Sequence, residues 1–269
     1  MRSTTTIVKH IAGSPERQPQ VVQFRWPEHS DVIPLDAYLP VGIKGTDQLV
    51  WNDMPAALHE SKTKLLDATL KVVRTKGYTA TRIEDVCAEA GLTKGSFFHH
   101  FRSKEDLALS AAANWNTSTA AFFADAPYHS AADPLDRLLA YVDFRKAMLT
   151  GELPDFTCFA GTVIQEVYDT HPEINAACET SIGGHARTLE SDIRDAMRKY
   201  GVAAGWTAES LALHTQCVIQ GAFILAKAKG SAAIAAQSLD HLRRYLELLF
   251  GAARKLPSSN RTHRRSAKS

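Results

Sequence analysis

Thr81–Leu107 reads TRIEDVCAEAGLTKGSFFHHFRSKEDL. Turn chemistry divides it into short helical pieces. Thr81-Arg82-Ile83-Glu84 has the form of a capping box, a Thr hydroxyl for the third backbone N–H and a Glu reaching back. Ile83, Val86, Cys87 and Ala90 then follow three- and four-residue spacing, the buried stripe of one short helix. Gly91 supplies the positive φ of a turn and Leu92 can plug the angle beyond it. Thr93 caps a helix over 94–101, and Ser103 caps the next, with Glu105 and Asp106 in its first turn where the helix dipole favours acids. Two short helices joined by Gly-Leu-Thr form a helix-turn-helix arrangement.

Outward from this stretch the chain stays helical. Upstream, from Ser61, Leu65, Leu66, Ala68, Thr69, Val72 and Val73 form one apolar stripe, which Gly77 ends. Downstream, helices are expected over 104–125, 134–150, 158–169, 173–200, 207–229 and 232–250, separated at Pro127, Pro134, Gly151 with Pro154, His171-Pro172, Gly201 with Gly205, and Gly230. No alternation is long enough for a sheet, so the fold class is all-α. The expected organisation is an irregular N-terminal extension over 1–60, a helix-turn-helix domain over 61–107, a larger helical domain over 108–253, and a disordered basic tail over 254–269. Over 1–53, Pro15, Pro19, Pro27, Pro34 and Pro40 interrupt every candidate helix, and Val21–Trp26 and Leu49–Trp51 are short strands or nothing. A start at Met54 is the alternative reading of that region.

The chain has 269 residues, 45% hydrophobic and 22% charged, which excludes collagenous and wholly disordered classes. No run of 18 apolar residues suggests a membrane span, and the first 20 residues lack a secretory signal's apolar region. Cys87, Cys158, Cys178 and Cys217 lie far apart without a C-x-x-C pair, which fits a reducing, cytoplasmic setting and neither a metal site nor a disulfide framework. The net charge of +2 conceals a pattern: −1 over 1–53, +2 over 54–110, −5 over 111–253 and +6 over 254–269. An acidic body thus sits between a mildly basic module and a basic tail. No G-x-S-x-G, H-E-x-x-H, P-loop or G-x-G-x-x-G is present, so no enzyme, metal or cofactor is expected.

Lys64–Leu107 resembles the DNA-binding domain of the tetracycline-repressor (TetR/AcrR) family: Leu65-Leu66-Asp67-Ala68, Lys76-Gly77-Tyr78, and Thr81 to Leu107 almost without gap. The resemblance implies a transcriptional regulator, a repressor that releases a palindromic double-stranded operator when a small molecule or electrophile acts on the C-terminal domain. A structural or adaptor bundle that kept the fold is the alternative. The residues agree with DNA binding, since Leu92–Lys104 carries Lys94, Arg102, Lys104 and two histidines and no acid. Candidate contacts are Thr81, Arg82, Thr93, Lys94, Gly95, Ser96, Phe98, His99 and Lys104, with Gly95 permitting close backbone approach and free N–H groups available to phosphate. Phe98 stands where many relatives carry a Tyr whose hydroxyl meets phosphate, so that hydroxyl is missing here. Phe97 and Phe101 should face the core, and His100 should be packed or capping.

The resemblance also implies a small-molecule pocket in the helical body and a homodimer through helices 207–229 and 232–250. Cys158–Glu179 is similar to one electrophile-responsive branch of the family. Cys158, in the first turn of helix 158–169, is a candidate sensing thiol that a helix N-terminus can activate and Asp155 would oppose. Trp115, Phe123, Phe144 and Phe159 are the aromatic candidates for the pocket. Gln165, His185, His214 and Gln216 are polar residues on largely apolar helices.

Overall fold

Leu65, Ala68, Thr69, Val72 and Val73 are buried along one face of α1 (Ala56–Lys76), as their spacing predicts. The helix starts before Ser61 and ends at Gly77, whose φ of +87° turns the chain and whose N–H donates to Val73 O at 2.9 Å. Helix α2 (Ile83–Ala90) closes at Gly91, φ +66°, with Leu92 N–H donating to Cys87 O at 2.9 Å. Helix α3 (Lys94–His100) is capped by Thr93 Oγ1 accepting from Ser96 N–H at 3.2 Å. Helix α4 (Lys104–Ala124) is capped by Ser103 Oγ accepting from Asp106 N–H, also at 3.2 Å. The start of α2 differs from the sequence expectation by one residue. Arg82 holds the N-cap position, its N–H donating to Asp85 Oδ2 at 2.8 Å, while Thr81 is buried with its hydroxyl donating to Gly77 O at 2.6 Å. Glu84 is drawn away instead by an ion pair with Lys94.

The computed structural model describes residues 5–9, 20–24, 56–203 and 205–254, with side-chain surroundings over 60–203 and 205–251. The extension expected to be irregular contains a two-stranded antiparallel ribbon, β1 (Thr5–Lys9) and β2 (Gln20–Phe24). Leu49–Trp51, the alternative start at Met54 and the basic tail past Arg254 lie outside the described residues. From Ala56 onward the described chain is helical: α5 (Pro134–Ala147), α6 (Leu153–Phe156), α7 (Phe159–Val167), α8 (Pro172–Tyr200), α9 (Ala208–Lys229) and α10 (Ala232–Arg254). The expected breaks at Pro127 and Pro154 carry single turns, a 3-10 turn over Pro127–Ser130 and α6, because proline fits a helix's first turn.

Three apolar cores hold these helices. The first, under α1–α4, centres on Leu65, Val86, Phe97, Phe101 and Leu107. The third fills the bundle of α5, α8, α9 and α10. Between them lies a second core in which Val73 and Tyr78 of the first domain meet Phe159, Val163 and Val167 of α7 and Ile174 and Cys178 of α8. The two domains therefore share an interior surface. Helix α9 has the length and mean hydropathy (1.2) of a membrane span, but Leu211, Ala212, Ile219, Ala222 and Phe223 face the bundle core.

Asp133 ties α5 to the end of α8. Its carboxylate accepts from Leu135 N–H at 2.8 Å and Asp136 N–H at 3.3 Å, pairs with Lys199 at 2.8 Å and accepts from the Tyr200 hydroxyl. Burial alone would raise its pKa, but these partners hold it well below the ordinary carboxylate range. A depressed folded pKa contributes stability above about pH 4, the unfolded value, and that stability is lost as pH falls through the folded pKa. Asp133→Asn is expected to cost about 1–3 kcal/mol at neutral pH and to flatten the acid limb. Urea denaturation at neutral and acid pH measures both, and an unchanged acid limb would place the acid sensitivity elsewhere.

Candidate nucleic-acid interface and effector cavity

The N-terminus of α3 projects into solvent because Phe97 and Phe101, one turn apart, anchor its other face at 0% and 2% exposure. Thr93, Lys94, Gly95, Phe98 and His99 are exposed and Ser96 is half-buried. Built at Gly95, a Cβ would meet only Thr93 Oγ1 at 3.6 Å, an ordinary contact, so packing does not demand the glycine. His100 is turned inward, its Nε2 2.6 Å from Ser61 Oγ. Arg82 is exposed at the start of α2, and its neighbour Thr81 is spent on Gly77 O. Thr81 thus positions the turn instead of presenting a hydroxyl to a phosphate. Lys94 is held by Glu84, whose carboxyl it keeps below the ordinary range. Lys104 lies over the Tyr78 ring at 4.3 Å and donates to Thr79 O at 3.2 Å, and burial lowers its pKa.

The domain junction is a small polar clasp. The carboxylate of Glu166, on α7, accepts from Tyr78 N–H at 3.2 Å and from Thr79 N–H at 2.7 Å. These are the two residues after Gly77, the turn between α1 and α2. Tyr78 also packs edge-on against His171 at 5.7 Å, and burial pushes its hydroxyl up to about 12. Nothing in the spacing of Glu166 marks it as a partner of residues nearly ninety positions upstream.

Beside the clasp lies a cavity of about 60 Å³ walled by Arg74, Trp115, Phe123, Arg145, Phe156, Thr157, Cys158, His185, Gln216, Gln220 and Phe223, among others. A second cavity, of about 240 Å³, shares Thr157, Cys158, Gln220 and Phe223 and adds Glu166 and Lys227. Of the pocket candidates, Trp115, Phe123 and Cys158 come together here. Phe144 and Phe159 do not line the cavity: each is buried one residue away from a lining residue, Phe144 against Phe122 and Phe123, Phe159 against Trp115. Cys158 is the N-cap of α7, not within its first turn, and its Sγ accepts from Gly161 N–H at 3.3 Å. Burial raises the thiol pKa of Cys87, and that of Cys178 to about 12, whereas Cys217 is exposed.

Polar groups in the wall form a chain. Gln216 Nε2 donates to the Tyr141 hydroxyl at 3.1 Å, and that hydroxyl lies 2.9 Å from His185 Nε2. Burial, with the Arg145 charge, holds the His185 imidazole down at about 3, so it is neutral and its Nε2 can accept the Tyr141 proton. Arg74 stands over the Trp115 ring at 5.5 Å and donates to Leu70 O and Asp155 O, two backbone carbonyls. Arg145 stands over Phe123 at 5.2 Å and Phe223 at 5.7 Å. Sequence reasoning missed both arginines. Arg145 carried a signal, continuing the buried stripe Leu138, Tyr141, Val142 of α5 at the next four-residue step. Gln165 is exposed at the rim of the second cavity, whereas His214 is exposed and lines neither.

Residues 65–111 match the family described as bacterial regulatory proteins, tetR family, and residues 134–242 match the tetracyclin repressor-like C-terminal domain, together more than half the chain. The chain belongs to the TetR family. Among TetR-family structures it is similar to a regulator from Agrobacterium tumefaciens (18% identity, TM-score 0.63, 70% of this chain and 98% of that one). It is also similar to the reduced form of NemR from E. coli (19%, TM-score 0.60, 69% and 96%). These likenesses establish the fold. By sequence it is similar to the HTH-type regulator YerO of Bacillus subtilis, 39% identical over 54 residues, 20% of this chain and 19% of that protein. The transcriptional regulator AcuR of Cereibacter sphaeroides is 30% identical over 99 residues, 33% of this chain and 45% of that protein. The match thus spans less than half the length of either curated relative.

Proposed function

We propose that this TetR-family chain is a cytoplasmic, sequence-specific DNA-binding regulator. It acts as a homodimeric repressor that leaves a palindromic operator when a small molecule or electrophile acts at the cavity. The exposed N-terminus of α3 carries the reading: Thr93, Lys94, Gly95 and Ser96 present small polar side chains, a cation and free N–H groups, backed by a rigid Phe97–Phe101 anchor. Arg82, Phe98, His99 and Lys104 flank it as further contacts. Dimerisation through α9 and α10 is supported by Leu213, Ile224, Leu225, Tyr245 and Leu248, large apolar side chains exposed along these two helices. A two-fold axis there would set two α3 helices into successive major grooves.

The test is a gel shift against the DNA flanking its own gene, repeated over a salt series. Lys94→Ala is expected to weaken binding and to lower the log–log salt slope by about 1, since the lysine must exchange Glu84 for a phosphate. An unchanged slope removes Lys94 from the interface. No shift at any salt favours the adaptor reading.

A further inference from the structure

We propose that the cavity at the domain junction binds a small amphipathic carboxylate, its anionic head held between Arg74 and Arg145 and its apolar body against Phe123, Phe156 and Phe223. The inference rests on the ligand-responsive reading and names the chemical class of that ligand.

Charge carries the argument. Two guanidiniums face one cavity, and among the described residues neither makes an ion pair with a carboxylate. Arg74 has only carbonyl oxygens and a ring face; Arg145 has two ring faces and the neighbouring Tyr141 hydroxyl. Burial lowers the Arg74 pKa and the charge of Asp155, the acid in the same wall, offsets this only in part, its Oδ2 being turned to cap α6 by accepting from Glu152 N–H at 2.8 Å. His185, being neutral, adds no further positive charge to the wall. Both guanidiniums are half-buried and a guanidinium keeps its proton, so an anion bound in the cavity would give each of them a direct charged partner that the surrounding protein does not supply. Thr157 Oγ1 adds a second deficit: it is buried in this wall with no hydrogen-bond partner, a hydroxyl able to donate to a carboxylate oxygen. The rest of the wall is aromatic, which selects an apolar body and disfavours a bare inorganic anion.

Arg74 belongs to α1, in the DNA-binding domain, whereas Arg145 belongs to α5 of the body. A carboxylate shared between them competes with Asp155 O for Arg74 and draws α1 toward the body. Occupancy is thereby transmitted to the recognition helix through α1, on which α3 is packed.

The test is calorimetry on the full chain with two matched pairs of probes, benzoate against benzamide and hexanoate against hexanamide, with inorganic phosphate as the bare anion. Each carboxylate is expected to bind at least about tenfold more tightly than its amide. Arg145→Gln and, separately, Arg74→Gln should abolish that preference while leaving circular dichroism unchanged. Arg145→Gln keeps the test valid if Arg74→Gln disturbs the domain junction. Equal binding of acid and amide, a preference surviving both substitutions, phosphate binding as tightly as benzoate, or no carboxylate binding at millimolar concentration would each overturn the proposal. Gel shifts without any probe report the DNA-binding reading independently: carboxylate binding without a DNA shift sinks that reading alone, and a DNA shift without carboxylate binding sinks this one alone.

Discussion

Gly77→Ala is expected to destabilise the protein by about 2–4 kcal/mol, from two separable causes. The first is conformational. At φ +87° an L side chain meets its own backbone, a strain of about 1–2 kcal/mol. The second is spatial, since the new Cβ would lie 2.2 Å from Glu166 Oε1 and push the carboxylate off the Tyr78 and Thr79 N–H groups. Hydrogen bonds to a charged acceptor are worth about 1.5–3 kcal/mol each when buried and less here, where Glu166 is partly exposed. Gly91→Ala is the control: it has the same left-handed backbone, φ +66°, but open space around the Cβ, so it should show the strain alone. Denaturant titration of Gly77→Ala, Glu166→Ala and the double variant separates the causes. The double variant should lose less than the sum of the single losses. Strict additivity would mean that the Gly77 substitution leaves the clasp intact.

Gly95→Leu is expected to abolish specific DNA binding, a loss of at least about a hundredfold, or roughly 3 kcal/mol, while the fold stays intact. Leucine is a better helix former than glycine by about 1 kcal/mol, and the site has room for its Cβ. Folding therefore has no reason to suffer. The side chain would instead project from the first turn of α3, between the helix N-terminus and whatever it approaches, and hold the backbone N–H groups away from phosphate and base edges. Gly95→Ala should fall between the two. Gel shift and thermal melting on the same sample decide it. A collapse of the melting temperature would make Gly95 a packing residue, and undiminished affinity would turn α3 away from DNA.

The helices were legible because their signals are local. Thr93, Ser103, Gly77 and Gly91 each act on neighbours within a few residues, and each does in the structure what its type and spacing predict. The start of α2 was misread because two overlapping pairs, Thr81 with Glu84 and Arg82 with Asp85, satisfy the same three-residue offset. Glu84 is claimed by Lys94 on the next helix, a contact that a local pattern does not contain. Aromatic type alone points to Phe144 and Phe159 as pocket residues, but type does not specify facing. A helix turns about 100° per residue, so the cavity wall falls to their neighbours Arg145 and Cys158. Trp115, Phe123 and Cys158 of the cavity wall were legible, but its two cations were not, because the wall is assembled from α1, α4, α5, α6, α8 and α9 and the links between them and Arg74 and Arg145 share no window of sequence.

The clasp between Glu166 and the turn after Gly77 bears on how such a protein could be rebuilt. A chimera that joins this body to the helix-turn-helix unit of a relative would cut the chain near residue 107, which replaces Tyr78 and Thr79 by the incoming unit's residues and keeps Glu166 with the old body. The graft then inherits one half of a contact whose other half was shaped for a different loop. Transplanting residues 77–79 and 166 as a set would let an exchanged reading head still answer to its new body, although these positions lie far apart in the chain and only the three-residue turn falls inside the exchanged segment.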